Sequence, residues 1–187
     1  MGTRSRIGVM HGDVCKSVYC HWDGYLAHNG KILQEHYDSA KANQLVALGN
    51  LSSLGKRLGE KHAFDTYHLT PEERKQHELD HGDSCTFYER DREEEGQAWK
   101  VDHTFADFLD RVDGCGAEYY YIMRDNVWYV GCPDKGSKLV ELAEALAEKD
   151  EPDSEIQADL NETLGLDRNT RLEDLVAHIE ELDDDEA

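Results

Sequence analysis

The chain has 187 residues, enough for one domain with a sizeable core plus an appendage. A net charge of −21, with 33% charged and 39% hydrophobic residues, makes a surface that repels phosphate backbones and disfavours direct binding of DNA or RNA. No apolar run approaches a membrane span and no signal-peptide stretch is present. The five cysteines (Cys15, Cys20, Cys85, Cys115, Cys132) are odd in number with no C-x-x-C pair, which points to a reducing cytoplasm and away from a disulfide scaffold or zinc ribbon.

Residues 5–10 (SRIGVM) and 14–22 (VCKSVYCHW) read as strands, joined at His11-Gly12-Asp13 as a hairpin, with Gly12 supplying the positive φ. In the second strand Val14, Lys16, Val18, Cys20 and Trp22 share one face, taken as the core side. Tyr19, His21 and Asp23 then point together to a more polar side. Asp23 is placed to cap a following helix, in which Leu26, Gly30, Leu33 and Tyr37 form one stripe and Tyr25, His28, Ile32 and His36 the next. Gly30 costs such a helix about 1 kcal/mol against alanine, so a close backbone approach is expected there.

Ser39 is read as the cap of a second helix, about 40–48, stopped by Gly49, with Leu51 and Leu54 in a short turn. Residues 55–83 are polar and histidine-rich and read as an exposed insertion. Its one helix start is the capping box Thr70-Pro71-Glu72-Glu73. Strand signals return at 84–90 and around 97–101. A helix over about 104–113 follows, and an aromatic hairpin turns at Arg124-Asp125-Asn126. Residues 4–132 therefore read as an α+β domain, an antiparallel sheet with helices packed on one face.

Beyond Pro133 the composition shifts. Residues 134–187 carry 19 acidic and 5 basic residues, a net of −14, and read as an acidic helical extension with helices near 138–149, 155–164 and 171–182.

Ser5–Met10 and Ser17–Tyr25 (SVYCHWDGY), followed by Gly30…Leu33…His36-Tyr37 and by Leu48-Gly49…Leu51-Ser52-Ser53-Leu54, form one recurring block. Cys85-Thr86-Phe87-Tyr88…Arg90-Asp91-Arg92 and the Tyr119–Tyr121/Trp128-Tyr129 hairpin accompany it. Together these resemble a family of small proteins encoded in bacteriophage and prophage genomes. The resemblance implies a viral accessory role, such as host takeover or counter-defence, in the host cytoplasm, and implies no catalytic residues. The insertion and the acidic extension lie outside the resemblance.

Two clusters offer chemistry. Tyr19, His21, Asp23, Tyr25, His28 and His36 are candidate ligand-binding residues, with His21 and Asp23 a conceivable acid–base pair. His77-Glu78-Leu79-Asp80-His81 is a formal H-E-x-x-H, which on a helix puts two imidazoles on one face with a glutamate beside them. Asp80 sits where metalloprotease helices keep an apolar residue and Gly82-Asp83 ends the helix at once, so no metal or other cofactor is expected. Cys20 and His21 are adjacent on a strand and face opposite ways, which removes a thiol–imidazole pair. The expectation is a non-enzymatic binding or regulatory protein whose partner is a host protein or a small molecule. A small His/Asp-dependent or metal-dependent enzyme and nucleic-acid mimicry by the acidic extension are the alternatives.

Overall fold

The computed structural model describes residues 2–133 and 138–150. The chain divides into two compact units, Met1–Leu146 and Ala147–Ala187, and the sheet with its sites belongs to the first.

β1 (Ser5–His11) and β2 (Val14–Trp22) form the expected hairpin, with Ser5 opposite Cys20, His11 opposite Val14, and Gly12 at φ +60° in the turn. The other side of β1 pairs in parallel with β6 (Tyr119–Arg124). β6 then turns through Asp125 and Asn126, at φ 51° and 64°, into β7 (Val127–Gly131), so the aromatic hairpin also forms as expected. The far edge of β2 is shared. Cys15–Ser17 pairs antiparallel with β5 (Lys100–Asp102), and Cys20 and Trp22 pair in parallel with β3 (Leu51–Ser53). β4 (Thr86–Phe87) and β8 (Val140–Glu141) complete an eight-stranded sheet of order β4-β3-β2-β1-β6-β7-β8, with β5 beside β2.

The α+β class stands, but the sheet is mixed, not antiparallel. A parallel neighbour needs a long crossover, and the helical segment between β2 and β3 supplies one. Nor do the helices keep to one face. In β6, Tyr121 and Met123 pack with Ile7, Val9, Val18 and Cys20. The alternate residues Tyr120 and Ile122 pack with Cys15 on the opposite side. The first face is covered by a π-turn (Leu26–Gly30), α1 (Lys31–His36) and α2 (Ser39–Ala47), through Leu33, Ala42 and Leu45. The second is covered by Phe108 and Val112 of α5 (Phe105–Gly114). The run YYYIM is apolar on both sides, as expected of a strand that must be covered twice.

Local departures have local causes. Asp23 does not cap the helix after β2. The helix opens as the π-turn at Leu26, with Tyr25 in the cap position and no side-chain cap. Gly30 closes that turn with its Cα against the interior, where a Cβ would meet Leu26 Cδ1 at 3.0 Å and Leu142 Cδ1 and Tyr121 Cε1 at 3.3 Å. This is the close approach its presence predicted. Asp38, not Ser39, caps α2, its Oδ1 accepting from the Lys41 N–H at 2.8 Å. Leu51–Ser53 is a strand where a turn was expected. The strand expected over 84–90 ends at Phe87 and gives way to α4 (Tyr88–Arg92).

α3 (Pro71–His81) starts on the predicted capping box, with Thr70 Oγ1 accepting from the Glu73 N–H and Glu73 Oε2 from the Thr70 N–H. Where one helix was expected over 138–149, β8 comes first and then α6 (Leu142–Asp150), anchored by the fully buried Leu142. The helices expected at 155–164 and 171–182 lie outside the described residues. Among the described residues no helix is long and apolar enough to cross a membrane.

Candidate functional site

The residues singled out after β2 separate into different places. Tyr19 and His21 lie on the α5 side of the sheet with the tyrosine hydroxyl 2.9 Å from His21 Nδ1, and the His21 ring meets Trp22 edge-on at 4.5 Å. Asp23 lies beyond the strand end and makes neither a hydrogen bond nor an ion pair with His21, so the carboxylate–imidazole pair does not form. Desolvation, with Arg4 and Arg92 nearby, lowers the His21 pKa below its ordinary value. Arg92 is itself held between the rings of Phe64 and Tyr88, at 4.1 and 4.7 Å.

A lowered folded pKa means that the unfolded chain binds the proton more tightly. The His21 contribution is therefore complete above the ordinary histidine range and is lost as pH falls through it towards the lowered value. An NMR titration should put the His21 midpoint below 6.5. A midpoint at or above that value would count against the half-buried, Arg-flanked setting.

Tyr25 and His28 form a second pair, ring centroids 5.8 Å apart, and His28 Nδ1 donates to Asn29 Oδ1. They lie at the π-turn, which packs on the opposite side of the sheet from Tyr19 and His21. The π-turn also breaks the 3.6-residue period, so His28 and His36 do not continue one stripe. His36 ends α1, 3.7 Å from Glu35. Cys20 is fully buried and its thiol is pushed up to about 12 by burial, which makes it a core residue and not a nucleophile.

His36 belongs to a groove of about 650 Å³ between the α1–α2 junction, the β6–β7 turn and the β8–α6 junction. Its lining includes apolar side chains of Met123, Val127 and Trp128, and acidic side chains of Glu35, Asp38 and Glu141. Trp128 is fixed there by donating from Nε1 to the Tyr37 carbonyl at 2.7 Å. A smaller cavity of about 260 Å³ adjoins it, lined by His11, Ser39, Asp125 and Asn126 among others. Sequence reasoning found His36 but not this groove, which is built from three segments far apart in the chain. The one local signal was the acidic pair flanking His36-Tyr37.

The H-E-x-x-H histidines do share a face. His77 and His81 have ring centroids 4.8 Å apart, and a third imidazole, His62, packs on both at 5.8 and 4.9 Å. Glu78 folds towards the helix end, where a Cβ on Gly82 would meet its Oε1 at 2.7 Å. Among the described residues no group of three or more His, Cys, Asp or Glu side chains is placed so that it could hold a metal ion.

No family model, curated protein or solved structure matches the chain.

Proposed function

We propose that this chain is a non-enzymatic binding protein, of the viral accessory type its SVYCHWDGY block resembles, and that the groove beside His36 receives a basic segment of a partner protein. The observation that carries the reading is the cluster of carboxylates, Glu35, Asp38 and Glu141, around a groove backed by Met123, Val127 and Trp128. The acidic groups select a positively charged partner and speed its approach. The net charge of −21 favours the same partners at longer range. Lys31 lies 4.0 Å from Glu35, but both side chains are about half exposed, so that pair is weak enough to yield to an incoming cation.

The test is capture from host lysate with the full chain and with the charge reversal Glu35→Lys/Asp38→Lys/Glu141→Lys, followed by titration of the captured protein. The reversal should weaken binding by roughly tenfold or more, and raising the salt should weaken wild-type binding in the same direction. Equal affinity for wild type and reversal would overturn the groove as the docking site.

A further inference from the structure

Of the eleven residues of α3 only His77 and His81 are even partly buried, and the helix buries none fully. What those two rings meet is a third imidazole. His77 and His81 have centroids 4.8 Å apart, and the buried His62 of the preceding loop stands 5.8 Å from the first and is stacked on the second at 4.9 Å. The face by which this helix rests on the domain therefore consists of groups that take up charge in mildly acid solution.

Neutral, the three rings suit one another. His62 is fixed behind the stack, with Nδ1 3.0 Å from the Glu60 carbonyl and Nε2 3.2 Å from the Thr86 hydroxyl. Charged, they do not. A proton on His81 puts positive charge 4.8 and 4.9 Å from two rings that compete for the same proton. His77 adds a second obstacle. Its Nε2 is enclosed with no hydrogen-bond partner in the protein, alone in this among the described buried side-chain nitrogens and oxygens. An imidazolium carries N–H on both nitrogens, so the charged ring would hold a donor there with no acceptor.

The other charged groups facing the cluster do not cancel this. Arg57, whose Nη2 donates to the Asp80 carbonyl at 3.0 Å, adds positive charge, and the opposing Asp80 carboxylate already accepts from Gln76. The Asp91 carboxylate, 3.8 Å from His62 Nδ1, is engaged by Arg90 and by the amides of His62 and Phe87. Lys56 pairs with Asp83 and Lys61 with Glu93, while Glu78 turns towards the helix end at Gly82. Burial, followed by the neighbouring His62 and His77, holds the His81 pKa below its ordinary value; Asp80 opposes the shift and Arg57 adds to it. A lowered pKa in the docked state means that the undocked helix binds the proton more tightly. Docking is therefore fully favoured above the ordinary histidine range and weakens as pH falls through it.

We propose that His62, His77 and His81 form a pH-sensitive latch, which holds α3 on the domain at neutral pH and releases it in mild acid. Eleven residues alone are too few for a stable helix in water, so release also melts α3, and it uncovers His62. The rest of the domain does not depend on the latch, since its two cores contain no residue of α3.

The test is hydrogen exchange of the untagged full chain at about pH 7.5 and about pH 5.5, on either side of the histidine range, expressed as protection factors so that the intrinsic pH dependence of exchange drops out. Between the two, the amides of α3 should lose protection about fivefold or more, while those of α5 and β6 keep theirs. Raised salt screens like charges and should restore part of the α3 protection at the lower pH. His77→Phe/His81→Phe keeps two flat rings on the docking face without their charge, and should hold α3 equally at both pH values. Unchanged α3 protection in the wild type, a loss that salt does not reduce, an equal loss in α5, or the same loss in the double variant would overturn the latch.

Discussion

Replacing Asp91 by alanine should destabilise the domain by about 3–5 kcal/mol, because it strands a partly buried arginine and two amide groups at once. The Asp91 side chain is fully buried. Its Oδ2 accepts from the Phe87 N–H at 2.6 Å and from Arg90 Nη2 at 3.0 Å, and its Oδ1 accepts from Arg90 Nε at 2.9 Å and from the His62 N–H at 3.2 Å. Arg90 in turn donates to the carbonyls of Leu58, Gly59 and Cys85 and lies over the Phe87 ring at 4.7 Å. One carboxylate thus ties the end of β4, the start of α4 and the loop that carries His62. Asp91→Asn keeps the shape but turns an N–H₂ towards donors, so it should recover only part of the loss. Urea unfolding with an unchanged slope would measure the effect. A loss below about 1 kcal/mol would show that solvent already serves these donors.

The same carboxylate shows what could and could not be read from the sequence. Cys-Thr-Phe-Tyr has strong strand character, and on propensity the strand runs to residue 90. The structure ends it at Phe87 because the Asp91–Phe87 bond bends the chain into α4, and propensity is silent about such a bond. Short-range chemistry was legible. Gly12, Asp125-Asn126 and the Thr70 capping box each stand where turn and cap preferences put them. So was the buried stripe of Val18, Cys20, Leu33 and Tyr37, although Lys16 and Trp22, assigned to the same core face of β2, are exposed.

Strand partnership was not legible. A period of two tells a strand its faces and not its neighbour, so the pairing of Ile7 with Tyr121 left no local trace. The candidate residues show the same limit. The contact between Tyr19 and His21 follows from alternation within one strand. The groove that takes up His36 needs residues 34–39, 123–128 and 141–143 together, and no periodicity connects those. His62 is the extreme case, a histidine in an irregular loop brought under a helix that the sequence marked only by its own two.

The second face of the sheet gives the other large expected effect. Phe108→Ala should cost about 3–5 kcal/mol, as much as a comparable truncation in the larger core. Phe108 is fully buried, packed against Phe105 with centroids at 5.9 Å and edge-on to Tyr120 at 5.6 Å. The buried residues around it are few, Cys15, Val112, Ala117, Tyr120 and Ile122, so a cavity there has little left to collapse onto it. Whether α5 is part of the cooperative fold turns on this residue. If it were a separable cover, the variant would free the helix in an early transition while the sheet persisted, and the unfolding slope would fall. The opposite is expected. Arg111 of α5 holds the buried carboxylate of Asp102 on β5 through bonds of 2.6 to 3.1 Å, and Arg6 beneath the helix is buried with its Nε donating to Ser17 Oγ. Lifting α5 would expose apolar surface and leave both polar groups without their burial partners, so helix and sheet should be lost in a single transition at lower urea with the slope unchanged.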